Sequence, residues 1–262
     1  MPFPVTERTV YNKNPLIEVI CQLRFPPILR IDNEIPTLFQ DTIRSKYPAY
    51  HLQTAVVQEA EIGSKELNNP WIRQTTTKEH KFSSEDNNWH VVIARTFIAF
   101  STQEYVRWED FIERLGFVFD VFNEIYQPSY FSRVGLRYID VIDRAKLNLD
   151  KVEWSELLEP HVLGLLSTPE CKSIMNFDNR YELELSDHES IAALKTSFAF
   201  NSQSDLQDSC FLIDTDFFNT KKTLIKDVFV KLSFLHERAS RLIRWVIKPR
   251  LHEAMEPKEI IL

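Results

Sequence analysis

Apolar residues recur along this chain in two rhythms, a short alternation and a longer spacing of three and four. The first predicts strands and the second amphipathic helices. Leu16 to Phe25 (LIEVICQLRF) is rich in aliphatic and β-branched residues, and Pro26-Pro27, which has no N–H to give a ladder, ends it. Ile28 to Ile31 is expected to continue that strand after a bend. Ile35, Leu38, Phe39 and Ile43 then follow at helical spacing, with Pro36 in the first turn and Asp32 or Asn33 as the cap. His51 to Ile62, Trp71 to Phe82 and Trp89 to Ser101 predict three strands, which the turn-forming links Gly63 to Pro70 and Ser83 to Asn88 join as an antiparallel meander. Trp108, Phe111, Ile112, Leu115, Val118, Phe119, Phe122, Ile125 and Tyr126 mark the clearest helix of the first half. Gly116 inside it is expected where the helix approaches the sheet closely. Tyr130 to Ile142 predicts another strand.

The second half repeats this order. A helix is expected from Val152 to about Leu166, then strands over Ile174 to Leu185, Ile191 to Phe200 and Cys210 to Phe218. A closing helix carries Leu224, Val228, Leu232, Leu235, Ala239, Leu242 and Val246 on one face and ends before Pro249. The fold class is therefore α+β, a mainly antiparallel sheet with long amphipathic helices packed on one face. The order of elements divides into two lobes of similar plan, 1–145 and 146–262, or runs as one continuous domain, and no residue-level repeat accompanies it.

Composition narrows the chemistry. With 262 residues, 44% of them hydrophobic, the chain can bury a large core without disulfides or metals. Only four glycines occur, Gly63, Gly116, Gly135 and Gly164, so no glycine-rich phosphate loop, dinucleotide fingerprint or G-x-S-x-G elbow can be assembled. A net charge of −7 disfavours nucleic acid as a partner. Cys21, Cys171 and Cys210 are odd in number and widely spaced, which fits a reducing compartment and neither a disulfide framework nor a zinc site. Met1-Pro2-Phe3-Pro4 does not read as a signal peptide, and no apolar run is long enough to span a bilayer, so a cytoplasmic protein without a membrane partner is expected.

Asn14-Pro15-Leu16-Ile17-Glu18-Val19, Gln22-Leu23-Arg24-Phe25-Pro26-Pro27, Phe39-Gln40 and Tyr47-Pro48 form a head block that resembles an uncharacterised bacterial protein family of about this length, sporadically distributed among genomes. Arg133 to Asp140 (RVGLRYID) and the stretch from Leu235-His236 through Trp245-Val246 resemble it too. The resemblance implies a protein that moves between genomes, as components of phage-defence and toxin–antitoxin modules do, and it supplies no catalytic residue.

Three constellations are candidate sites. Asp214 and Asp216 share one face of a strand, as do Glu182 and Glu184 on an earlier one, so four carboxylates can converge on Mg²⁺ or Mn²⁺, or else form a solvated sheet face. Arg133, Gly135 and Arg137 share a face of the strand that also holds Asp140, a concavity for phosphate or carboxylate unless the arginines pair with acids such as Glu109, Glu113 or Asp120. Arg238, Arg241, Arg244 and Lys248 form a basic stripe on the closing helix, suited to phosphates, an acidic partner or the helix dipole. His80 and His90 can face each other across a hairpin, and Cys21 in an apolar strand reads as a buried small hydrophobe.

No residue is assigned as catalytic and no cofactor is expected. The favoured function is a non-catalytic interaction or regulatory protein with a protein partner, in a mobile defence or toxin–antitoxin module, self-associating or not. Its binding surface would combine the Pro-rich head with exposed helix faces. The alternatives are a metal-dependent nuclease or phosphoesterase, and a small-ligand-binding sensor whose pocket lies between the sheet and the closing helix, lined by Phe and Trp.

Overall fold

The structure, a computed structural model, describes residues 3–6, 9–61, 71–168, 174–199 and 210–259, with only the backbone of 55–61 and 71–75. The elements run β1 (Thr9–Tyr11), β2 (Leu16–Arg24), α1 (Arg30–Asn33), α2 (Thr37–Ile43), β3 (Ala49–Glu61), β4 (Trp71–Ser83), β5 (Trp89–Ala94), β6 (Phe97–Thr102), α3 (Trp108–Tyr126) and β7 (Arg133–Ile142). They continue with α4 (Trp154–Leu157), α5 (Pro160–Leu163), β8 (Asp178–Glu184), β9 (Ser190–Ala199), β10 (Cys210–Asn219), α6 (Val228–Val246), α7 (Pro249–Ala254) and β11 (Pro257–Glu259). The expected α+β class holds. Nine strands form one sheet in the order β3-β4-β5-β6-β2-β7-β10-β9-β8, every neighbouring pair antiparallel. A separate ribbon pairs β1 with β11.

The sheet reads the same from its centre outward in both directions. In the first half β2 is followed by two short helices, a four-strand meander and α3; in the second β7 is followed by two short helices, a three-strand meander and α6. Each opening strand lies beside the last strand of its own meander, and the opening strands β2 and β7 pair antiparallel in the middle. The strand order is thus approximately symmetric about the β2–β7 pair, with β7 opening the second set of elements rather than closing a lobe of residues 1–145, and one sheet runs through both.

One face of the sheet carries the core. Thr102, Val19, Tyr138, Thr215 and Leu194 follow each other across five strands in register, and so do Phe100, Cys21, Leu136, Phe217 and Ala192. All ten are buried. Phe111 of α3 packs on Trp89 and Phe100, with ring centroids 6.2 and 5.2 Å away, and His236 of α6 bonds Tyr138, so both long helices meet this same face. Offset and tilted ring pairs of this kind add to the area they bury.

Several local expectations are corrected. Ile28 to Ile31 does not extend β2; residues 30–33 turn into α1. In α2 only Phe39 and Ile43 are buried, whereas Ile35 and Leu38 are exposed, and Pro36 stands at the N-cap in place of Asp32 or Asn33. The stretch Trp89 to Ser101 is a hairpin, β5 and β6 folded at Arg95-Thr96, and those two residues carry no Gly, Asn or Pro to signal the turn. The expected helix from Val152 to Leu166 is broken, because the proline ring at Pro160 cannot continue a helix from α4 and instead opens α5. Gly116 faces open space, with no atom within 4 Å of an added Cβ, so close packing does not explain it. Gly63, the link Gly63 to Pro70, Ile62, Cys171 and Phe200 lie outside the described residues. Among the described residues no helix is long and apolar enough to cross a membrane.

Candidate functional site

The sheet face away from the helices holds two of the three sequence candidates. Arg133 donates both to Asp216 Oδ1 and Oδ2, at 2.9 and 2.7 Å, and to Gln22 Oε1 at 3.3 Å. Arg137 pairs with Asp214 through Nε and Nη2 at 2.7 and 2.5 Å. Gly135 explains the first pair: a Cβ there would come within 2.2 Å of Arg133 Nη1, because the Arg133 side chain lies flat along the strand over it. The same guanidinium sits 4.7 Å from the Phe218 ring centroid. The arginines therefore do meet carboxylates, on β10, and not Glu109, Glu113 or Asp120.

Those pairs correct the metal reading. Asp214 and Asp216 are engaged by guanidiniums, while Glu182 and Glu184 stand on β8, separated from β10 by β9. Among the described residues no group of three or more His, Cys, Asp or Glu gathers as a metal set.

The basic stripe on α6 is not a solvent-facing row. Arg238 is buried, 3.7 Å from the Phe234 ring centroid and paired with Glu237, which also meets Arg241. Lys248 donates to the Ser155 carbonyl at 2.6 Å. Three of the four cations thus hold α6 to itself and to α4, and Arg244 faces a cavity. His80 and His90 lie on opposite faces of the sheet: His80 bonds Tyr50 and the Ile31 carbonyl inside, and His90 bonds Ser83, its outer-face partner. Cys21 is buried, and burial pushes its thiol up to about 12, which keeps it a neutral small hydrophobe.

The cavity at Arg244 is the candidate site. It has a volume of about 110 Å³ and lies between the helix-covered face of β7 and β10, the start of α3, the middle of α6 and the ribbon strand β1. Tyr138 and Asp140 enter it from β7, Trp108 from α3, His236 and Arg244 from α6, and Tyr11 from β1. Leu16 joins them through a β-bulge. Register shifts between Leu16 and Glu18, so Leu16 falls opposite Asp140 and turns inward while Ile17 is left half exposed.

Its polar groups divide into fixed and unfixed ones. His236 is clamped, its ring stacked on Trp108 at 4.2 Å and 5° and its Nδ1 bonded to the Tyr138 hydroxyl at 2.8 Å. Tyr11 bonds His252 Nδ1 at 2.9 Å. Asp140 is unlike them: only 7% exposed, it has no hydrogen bond to its carboxyl from the described residues. Burial drives that carboxyl up to about 7 from 3.8. Burial also pushes the Tyr138 phenol well above its usual range, and raises that of Tyr11 against the opposing pull of Arg244. Arg244 Nη1 is buried without a hydrogen-bond partner. A guanidinium nitrogen buried without a partner costs roughly 1–3 kcal/mol, and the Asp140 carboxyl, which no described residue bonds, borders the same cavity.

No known protein family and no curated protein matches the chain.

Among its alternatives the sequence offered a pocket between the sheet and the closing helix, lined by Phe and Trp; a cavity does lie there, lined by Trp108 with Tyr11, Tyr105 and Tyr138 in place of phenylalanines. The sequence did not single out Asp140 or His236. The signal for Asp140 was present in parity: it falls in step with Val134, Leu136, Tyr138 and Ile142, a carboxyl on the buried side of its strand and opposite to Arg133 and Arg137.

Proposed function

We propose that this chain is a small-ligand-binding sensor, with the cavity between β7, β10, α3 and α6 as its binding site. The observation that carries the reading is Asp140, a buried carboxyl without a hydrogen-bond partner, facing a mostly apolar cavity that also holds Arg244. Ribbon strand β1 forms one wall, so the ribbon, anchored by the Tyr11–His252 bond and by Phe3 against Trp245 at 5.4 Å, is the element whose position would report occupancy. Thermal-shift screening of a small-molecule library tests this on the full chain and on Ala239→Trp, which fills the cavity from α6. Compounds that stabilise the natural chain and leave the variant unmoved support it. Stabilisation equal in both, or by no compound, refutes it.

A second reading, an interaction protein of the kind a mobile defence or toxin–antitoxin module would carry, rests on the exposed apolar side chains of Leu29, Ile35 and Leu38 around α1 and α2. A stoichiometric protein partner in affinity purification, lost with Ile35→Glu and Leu38→Glu, supports it; retention of that partner by both variants counts against it.

A further inference from the structure

The cavity has a particular charge pattern, and the inference drawn from it rests on the ligand-binding reading above. Asp140 and Arg244 both line it, and both act on Tyr11, in opposite directions. They form no ion pair with each other: the carboxyl is without a hydrogen-bond partner among the described residues, and one guanidinium nitrogen of Arg244 is buried unbonded. Arg107, the other cation at the wall, is engaged by Asp110 at 2.8 Å. Thr215 spends its hydroxyl on the Tyr138 carbonyl at 3.4 Å, Ser240 donates to the His236 carbonyl, and His236 is clamped by Tyr138 and Trp108. A carboxyl that ionises near neutral pH and a guanidinium that also reaches the Tyr11 hydroxyl but keeps Nη1 unbonded are thus available, and much of the remaining wall is apolar, from Leu16, Val106, Trp108, Ala239, Leu242 and Ile243.

From this geometry we propose that the cavity takes a small zwitterion of the α-amino-acid type, its ammonium on Asp140, its carboxylate on Arg244 and a short apolar side chain against Trp108 and α6. An anion alone would meet the Asp140 carboxylate and leave it unsatisfied; a cation alone would leave Arg244 so. A ligand with both ends satisfies both, and charge-assisted hydrogen bonds in a water-poor site discriminate strongly against analogues that lack one end. Size sets a limit: an apolar cavity of roughly 150 Å³ holds a benzene ring, so about 110 Å³ suits only a small amino acid, with a side chain of about one to three carbons. Proton uptake and release follow from the same arrangement. The groups facing Asp140 are Tyr11 from β1, Tyr105 and Arg107 ahead of α3, Tyr138 from its own strand, and His236 and Arg244 from α6. An ammonium brought against a carboxyl already raised by burial lowers its pKa, so binding near neutral pH expels a proton.

Isothermal titration calorimetry on the full chain at pH 7, in two buffers of different ionisation enthalpy, tests this. The probes are L-alanine, L-valine, L-leucine and L-phenylalanine, each with its decarboxylated amine and its deaminated acid. The expected result is at least tenfold tighter binding of one amino acid than of its amine or its acid, with proton release, and at least tenfold weakening by Asp140→Asn and by Arg244→Met in chains whose circular dichroism is unchanged. Should Arg244→Met fail to fold, Arg244→Lys, which keeps the charge and loses the fork, is expected to weaken the acid end selectively. Equal binding of amine, acid and amino acid, or binding indifferent to Asp140→Asn, overturns the zwitterion. If none of these probes binds while a library compound stabilises the natural chain but not Ala239→Trp, the ligand class falls and the binding site stands; if nothing binds at all, both fall.

Discussion

The two halves share a topology and differ in what fills the space between sheet and helix. Under α3 the first half packs rings on the sheet: Trp89, Phe100 and Phe111 lie within 6.2 Å of one another, and Phe25, Phe39, Phe82, Phe122 and Tyr126 form a second cluster. A cavity of about 120 Å³ lies beyond them, between α1, α2 and the end of α3, lined by Arg30, Glu34, Phe39 and Tyr126. Under α6, where β1 and the start of α3 also reach, Tyr138, Asp140, Thr215, His236 and Arg244 surround the cavity of about 110 Å³. Both halves hold buried polar atoms without a hydrogen-bond partner, Asp32 Oδ1, Tyr47 Oη and Arg95 Nε in the first and Arg238 Nε and Arg244 Nη1 in the second, so what sets the second apart is Asp140, a carboxyl that burial raises, at the wall of its cavity. A close-packed interior costs nothing further to keep, whereas a buried, unsatisfied carboxyl lowers stability, and departures of this second kind are where function resides.

The largest expected effect comes from breaking the ring-packed half. Phe100→Ala, at the centre of the ring cluster, should destabilise the chain by about 3–5 kcal/mol, read from urea midpoints at an unchanged slope. The opposite sign is expected across the β2–β7 pair. Asp140→Asn removes a carboxyl that the fold prefers protonated: its folded pKa of about 7 lies above the ordinary 3.8, so its contribution is fully favourable below the lower value and is lost as pH rises through the upper one. The natural chain should therefore lose stability between about pH 4 and pH 7, and the Asn variant should lose less, ending on the order of 2 kcal/mol more stable at pH 8. Urea denaturation of both chains across that range checks it.

Two glycines sharpen the contrast between a position that is filled and one that is not. Gly135→Ala pushes a methyl into the Arg133 guanidinium, which must lift away from Asp216 and Phe218, at a cost of about 1–2 kcal/mol. The cost should vanish in a Gly135→Ala, Arg133→Ala double variant. Gly116→Ala places its methyl in open space on α3 and should stabilise by about 1 kcal/mol, visible as a rise in Tm.

Much of the fold was legible because alternation and helical spacing report burial directly. α3 is read from its apolar stripe, and β7 and β10 from their alternation. The hairpin of β5 and β6 was hidden because Arg95-Thr96 turns without a residue that favours turning. The sheet's symmetric strand order needs strand adjacency, which no local pattern carries. The same holds for the sites. Asp214 and Asp216 were legible as a pair of carboxylates, but that Arg133 and Arg137 stand across the ladder from them is a fact of register. The cavity draws on β1, α3, β7 and α6, elements up to more than two hundred residues apart, so only the parity of Asp140 was available beforehand.

The most direct test of a second half built around an unsatisfied carboxyl is the titration of Asp140 itself, followed by carbon-detected NMR of its side-chain carboxyl in the ligand-free chain. A midpoint near 7, displaced downward when a bound ammonium is present, is the result expected of a carboxyl raised by burial beside the cavity. A midpoint at the ordinary 3.8 would mean that water or another residue already satisfies the carboxyl, and would contradict the account.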